Sequence, residues 1–338
     1  MMTAGVLAEK LVRRALAPFG YSIRKVTEQR TYDDGVPLSE DAAAWLRRDN
    51  PALLELHRRY AASALPVAVP STWWSQRRLK NNVQLGYFRG DNAYVYGYRK
   101  DDEQATRMRF LLLARHIAQH DPRGLLQRLE EDGAFGCWSY KFEALPRVSR
   151  DLLDSISEIY FLDRRFDLFG RSDTRILDIG AGYGRLAHRM VTAVPSVTHY
   201  YCTDAIPDST FLCEYYLKHR GVADRAHVVP LDEFESKMKP GMVDLAVNIH
   251  SFSECTLEAI TWWLRQLMRI KVPYLMLIPN EPDELLTREH DDGRVSFRPL
   301  LEQLGFEQAA SELNYQDSEI SEFIKNDRIF LFKVPADA

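Results

Sequence analysis

The rhythm of apolar positions along the chain changes near residue 157. Before it, residues 41–60 and 102–120 repeat apolar side chains at three- and four-residue spacings, the pattern of amphipathic helices. From 31 to about 150 there is no alternation of strand and helix. Between the two helical stretches, residues 66–98 carry Trp73, Trp74, Tyr87, Phe88, Arg89, Gly90, Asp91, Asn92, Tyr94, Tyr96 and Tyr98, a mixture of aromatics, amides and charges unusual for a plain helical core. After residue 157, short apolar runs at 175–179, 199–203, 226–229, 243–249, 274–278, 306–313 and 328–334 alternate with helical patterns at 185–193, 210–220, 256–270 and 297–304. That alternation predicts an α/β domain built on a mostly parallel sheet covered on both faces. Three regions follow: an N-terminal helix over 1–30, a mainly helical cap over 31–150 and a ligand-binding α/β domain over 151–338.

Composition narrows the class. The chain has 338 residues, 46% hydrophobic and 27% charged, which suits folded domains with large cores and excludes a disordered chain. A formal net charge of -4 supplies no basic footprint for nucleic acid. Cys137, Cys202, Cys213 and Cys255 show no CxxC spacing, so buried reduced thiols are expected in place of a zinc knuckle or a disulfide framework. No apolar run approaches the roughly 20 residues of a membrane span. In residues 1–26, Val6, Leu7, Leu11 and Leu16 are interrupted by Glu9, Lys10, Arg13 and Arg14, which is not a signal peptide. A cytoplasmic location is therefore expected, with this helix open to contact with a membrane surface or with a second copy in a homodimer.

The stretch Asp178-Ile179-Gly180-Ala181-Gly182-Tyr183-Gly184 follows the first strand and opens a helix. Absent side chains at such a turn let a ligand approach backbone amides at a helix N-terminus. The spacing differs from the dinucleotide GxGxxG and carries an acid before the first glycine, and it resembles motif I of class I methyltransferases. The cofactor it implies is S-adenosylmethionine. Asp204, at the end of the second strand, is the candidate for the ribose hydroxyls, Ile206 for the adenine face and Asp232 for the adenine amino group. A nicotinamide-linked dehydrogenase, or a glycine turn with a solvated aspartate, are the competing readings.

A closer resemblance rests on Phe88-Arg89-Gly90-Asp91-Asn92-Ala93-Tyr94, on residues 151–162 (DLLDSISEIYFL), on the glycine turn, and on Asn248-Ile249-His250-Ser251-Phe252-Ser253-Glu254. Together these look like the sugar O-methyltransferase family. The resemblance implies a Rossmann-like methyltransferase sheet with an antiparallel last strand, and methyl transfer to a sugar or oligosaccharide hydroxyl, a methylated mannose or glucose polysaccharide being one candidate acceptor. Apart from family, Trp73, Arg89, Asp91, Asn92 and Tyr94 suit a carbohydrate, whose C–H faces stack on aromatics and whose hydroxyls need fixed donors and acceptors. Packing between cap and catalytic domain is the alternative for each of them.

A sugar hydroxyl ionises far above neutral pH, so transfer to it needs a general base. His250, at the open end of the fourth strand, is the candidate, with Glu254 to orient it and Asn248 on the same strand face placed with the cofactor contacts. Magnesium is a further expectation, with Glu254, Glu281 and Asp283 as candidate oxygen ligands. A small-molecule or protein methyltransferase, or a non-catalytic cofactor-binding partner, remain open as rival functions.

Overall fold

The apolar runs of the second half become one seven-stranded sheet in the computed structural model, which describes residues 36–69, 72–74, 83–90, 103–324 and 326–335. The strands are β1 Thr174–Ile179, β2 Val197–Thr203, β3 Ala226–Val228, β4 Leu245–Ile249, β5 Tyr274–Ile278, β6 Glu307–Leu313 and β7 Arg328–Lys333. Their spatial order is β3-β2-β1-β4-β5-β7-β6. β1 to β5 run parallel, while β7 inserts antiparallel between β5 and β6. The order reverses between β1 and β4, the position where open α/β sheets bind ligands outside their carboxyl ends. This is a Rossmann-like sheet with an antiparallel last strand, the architecture that the motif resemblance implied.

Alternate residues of each strand feed two cores, which is why the strands read as near-continuous apolar runs. Ile176, Tyr200, Val247, Met276 and Leu331 face one core; Leu177, Ala246, Leu275, Leu277 and Phe330 face the other. The helices that cover them are α1 Pro51–Ala62, α2 Glu103–Gln119, α3 Arg150–Phe166, α4 Arg185–Ala193, α5 Pro207–His219 and α6 Leu257–Arg269. α2, α3 and α4 close the first face, α1 and α6 the second. The N-terminal region therefore contributes to both cores. The expected N-terminal helix over 1–30 lies outside the described residues, and among those described no helix is long and apolar enough to cross a membrane.

One expected helix, 41–60, is two. A short helix Glu40–Trp45 ends, and α1 starts afresh at Pro51 with the Asn50 side chain accepting from the Ala52 amide. An asparagine cap before a proline at the first helical position is a start signal that overrides continuous periodicity. The same preference for proline places the start of α5 at Pro207, three residues before the expected 210.

Arg89, expected to contact an acceptor, is instead 1% exposed. Its guanidinium donates to Asp151 at 2.9 and 3.0 Å, to Glu131 at 2.8 Å and to the Ala134 carbonyl at 3.3 Å. Arg189 of α4 donates to the same Glu131 at 3.0 Å, and Tyr183 donates to Asp151 at 2.6 Å. Two guanidiniums and two carboxylates balance in the interior. Although burial opposes ionisation of Asp151, Arg89 and Arg189 hold its carboxyl well below the ordinary range. This arginine joins the Leu85–Phe88 turn to α3 and, through Asp151 and Tyr183, to the glycine turn. Removing one partner leaves a buried charge uncompensated. Arg89→Ala is accordingly expected to lower stability by about 3–5 kcal/mol in urea titrations; a loss below about 1 kcal/mol would show that the ion network does not hold these elements together.

Candidate functional site

At the carboxyl ends of β1, β2 and β4 the chain makes three turns around one cavity. After β1, Gly180, Gly182 and Gly184 all take positive φ, at 74°, 57° and 85°. At Gly180 the geometry leaves no choice, because a Cβ there would lie 2.1 Å from the Ser251 hydroxyl. Gly184 is required for another reason, since it starts α4 and a Cβ would meet the Cys213 sulfur at 2.9 Å. It packs α4 against α5 and does not line the cavity.

Asp204 leaves the end of β2 and clamps the glycine turn. One carboxylate oxygen accepts from the Gly182 amide at 3.0 Å, the other from the Ile206 amide at 2.8 Å. Asp178, below it on β1, accepts from the Tyr200 hydroxyl at 2.9 Å. Burial pushes both acids up to about 7, against the hydrogen bonds that favour their ionised forms. Asp178, Gly180, Ala181, Gly182, Asp204 and Ile206, all expected from the sequence, line the cavity.

The third turn follows β4. Asn248 is fully buried; its amide donates to the Ile179 carbonyl at 2.8 Å and to Ser251 Oγ at 2.6 Å, and its oxygen accepts from the Phe252 amide at 3.1 Å. It is a latch between strand end and glycine turn, which corrects its assignment as a cofactor contact. His250 lies in the left-handed region at φ 64°, tied down by its amide donating to the Ile278 carbonyl at 2.6 Å. A non-glycine residue held there at a strand end stores backbone strain, a recurrent mark of functional sites. His250 lines the cavity, as does Glu254.

Other expectations require correction. Glu254 accepts from the Trp74 indole nitrogen at 2.7 Å, whereas among the described residues the carboxylate at ion-pair distance from His250 is Asp327, at 3.6 Å. Trp74, not its neighbour Trp73, lines the cavity; Trp73 lies under the Arg288 guanidinium. Asp232 is outside the lining and is gripped by Arg59 of α1 at 2.8 and 2.9 Å. Asp91, Asn92 and Tyr94 lie outside the described residues. The magnesium candidates do not converge: Arg294 donates to Glu281 at 2.8 Å and Arg328 to Asp283 at 2.9 Å. Among the described residues, one group of three metal-ligand types lies within 4.8 Å, Glu131, Cys137 and Asp151. Arg89 and Arg189 already neutralise its carboxylates, and burial keeps the Cys137 thiol protonated; a dication would find no net negative charge there.

Several lining residues had not been singled out: Arg150 and Asp154 from α3, Arg185 from α4, and Val67 and Val69 from the N-terminal region, while Trp74 had been named only within the aromatic stretch. Arg150 donates to Asp154 at 2.9 Å and Arg185 to Glu158 at 2.8 Å. The four-residue spacing of Arg150 and Asp154 was a usable signal for their pairing, though not for what they face.

No protein-family model matches the sequence, and no curated protein matches it. Solved structures are similar in fold. An S-adenosylmethionine-dependent methyltransferase from Leishmania major gives a TM-score of 0.41 at 15% identity, over 53% of this chain and 71% of that one. The mitomycin 7-O-methyltransferase MmcR gives 0.39 at 20% identity, over 55% and 56%. The [4+2]-cyclase SpnF gives 0.40 at 16% identity, over 59% and 85%. The resemblance to sugar O-methyltransferases has no counterpart among these comparisons, and the activities named belong to those proteins.

The contact between Gly180 and Ser251 is testable by coupling. Gly180→Ala should cost about 2–4 kcal/mol from the positive φ and the clash together, and adding Ser251→Gly should recover part of that despite its own lost hydrogen bonds. Strictly additive losses in chemical denaturation would mean that the two turns do not touch as described.

Proposed function

We propose that this protein is an S-adenosylmethionine-dependent methyltransferase that methylates a hydroxyl group, with a sugar as the acceptor. The observation that carries the reading is the convergence of the Gly180–Gly182 turn, the Asp204 clamp and His250 on one cavity. The residues present suit the cofactor. Asp204 offers carboxylate oxygens to ribose hydroxyls, Ile206 and Ala205 an apolar face to adenine, and the carboxylates of Asp178, Asp204 and Glu254 a negative setting for a sulfonium and an ammonium. When bound, the cofactor supplies an activated methyl group; the protein must align the acceptor oxygen and take its proton. His250 is the group available for that proton.

The sugar assignment is supported by the motif resemblance in the sequence and by Trp74 beside Glu254 in the wall. An indole face and a carboxylate together match the C–H surface and hydroxyls of a saccharide. A small molecule or a protein side chain as acceptor, or cofactor binding without turnover, are the outcomes that an acceptor screen separates, read by the mass increment of one methyl group.

Calorimetric titration should show binding of S-adenosylmethionine and its demethylated product, sharply weakened by Asp204→Ala and by Gly182→Val. Unchanged affinity in both variants sinks the cofactor assignment. The pH dependence has a defined sign. Ribose hydroxyls donate to the ionised Asp204, whose acid form persists up to about 7. Affinity should therefore rise with pH through that range, being roughly tenfold weaker at pH 6 than at pH 8; a flat profile would remove Asp204 from the cofactor contacts.

His250→Ala should lower turnover by about two to four orders of magnitude and leave cofactor affinity nearly unchanged. Single-turnover transfer at a near-wild-type rate with an unaltered pH profile would exclude His250 as base.

A further inference from the structure

β7 runs against its parallel neighbours, so its first residues arrive at the end of the sheet where β1, β2 and β4 finish. Asp327, immediately before β7, is thereby set beside His250, its Oδ2 3.6 Å from the ring Nε2. The Asp327 carbonyl accepts from the Asn314 amide at 2.8 Å, anchoring this point of the backbone to the end of β6. On its other side the same carboxylate oxygen stands 3.9 Å from Arg150, whose guanidinium donates to Asp154. The groups follow one another in the order Asp154, Arg150, Asp327, His250, and of these Asp154, Arg150 and His250 line the cavity. The His250 backbone cannot relax to adjust the ring, being fixed in the left-handed region by the Ile278 carbonyl and by the turn it opens.

We propose that Asp327 is the positioning residue of His250, fixing the orientation of the imidazole and stabilising its protonated form. This rests on the reading of His250 as proton acceptor. In the step concerned, a lone pair of the acceptor oxygen forms the new C–O bond as the C–S bond breaks, and its electron pair remains on sulfur as a neutral thioether. The hydroxyl proton passes to a ring nitrogen of the neutral His250 imidazole, and the imidazolium so formed faces the Asp327 carboxylate. Other charged groups around the cavity are Arg150, Asp151 and Asp154 of α3, Arg185 of α4, Asp178 and Asp204 at the strand ends, and Glu254 from the same turn. Among the described residues, Asp327 is the carboxylate set at ion-pair distance from the ring.

The test is an NMR titration of the imidazole resonances in full-length protein, the His250 signals being assigned by their loss in His250→Gln. It is repeated for Asp327→Asn and Asp327→Ala. Removing an anion beside an imidazolium disfavours the charged form, so the His250 midpoint should fall by about one unit in both variants. Turnover of an identified acceptor should drop at least about tenfold, the acidic limb of its pH profile moving down by the same amount while cofactor affinity holds. A midpoint unmoved in the well-folded Asn variant overturns the proposal. The titration needs neither cofactor nor acceptor, so failure of the wild-type protein to bind S-adenosylmethionine is a separate result that overturns the functional reading beneath it.

Discussion

The site depends on what the carbonyl of Ile179, the last residue of β1, is able to receive. The Asn248 amide donates to it at 2.8 Å and the Ser251 hydroxyl lies 3.3 Å away, the hydroxyl approaching through the space that Gly180 leaves by having no side chain. That crossing ties the turn after β4 to the turn after β1 across the point where the strand order reverses. His250 sits between the two latch residues and takes its unusual backbone conformation from their positions. Glycine at 180 is thus a requirement of the neighbouring turn as much as of any ligand.

The N-terminal half is attached by charge as well as by apolar packing. Burying Arg89, Glu131, Asp151 and Arg189 carries a desolvation cost that apolar side chains of the same volume would avoid. What such a network provides in return is direction: a guanidinium satisfied by Asp151 on one side and Glu131 on the other admits one orientation of the turn that carries it. Asp151 belongs both to this network and to the cavity wall. The placement of α3 relative to the glycine turn is therefore set by a contact deep in the protein, and Arg150 and Asp154 inherit their position from it.

Strands with unbroken apolar runs were legible to within a few residues because burial on both faces leaves little else for Ile176, Leu177, Val247 or Met276 to do. The glycine turn and Asp204 were legible because their backbone demands are local. Arg89 misled: polar residues beside aromatics look like a carbohydrate surface, and only the fold shows that Glu131 and Asp151, more than forty residues away in sequence, enclose it. Asp327 was invisible for the corresponding reason, since its proximity to His250 follows from β7 inserting between β5 and β6, which no local pattern encodes. Trp73 and Trp74 illustrate the finer limit. Adjacent residues point in different directions, and composition cannot say which of the two faces the cavity.

The electrostatics of the cavity separate its two halves. Arg150 is matched by Asp154 and Arg185 by Glu158, which leaves Asp178 and Asp204 at the strand ends with burial pushing both up to about 7. Carboxyls held near their protonation point in a confined space favour positive charge: hydroxyl donors pull them toward ionisation, and a cation entering there does so more strongly. On the proposed reading the methyl donor carries that positive charge and its product has lost it, so the strand-end acids distinguish the two by charge whatever the acceptor. His250 and Asp327 stand on the other side, where the charge that develops is a proton gained by a ring next to a carboxylate. Donor recognition is then a property of β1 and β2, proton handling a property of β4 and β7, and the Asn248 latch is the element that holds these two chemistries in register.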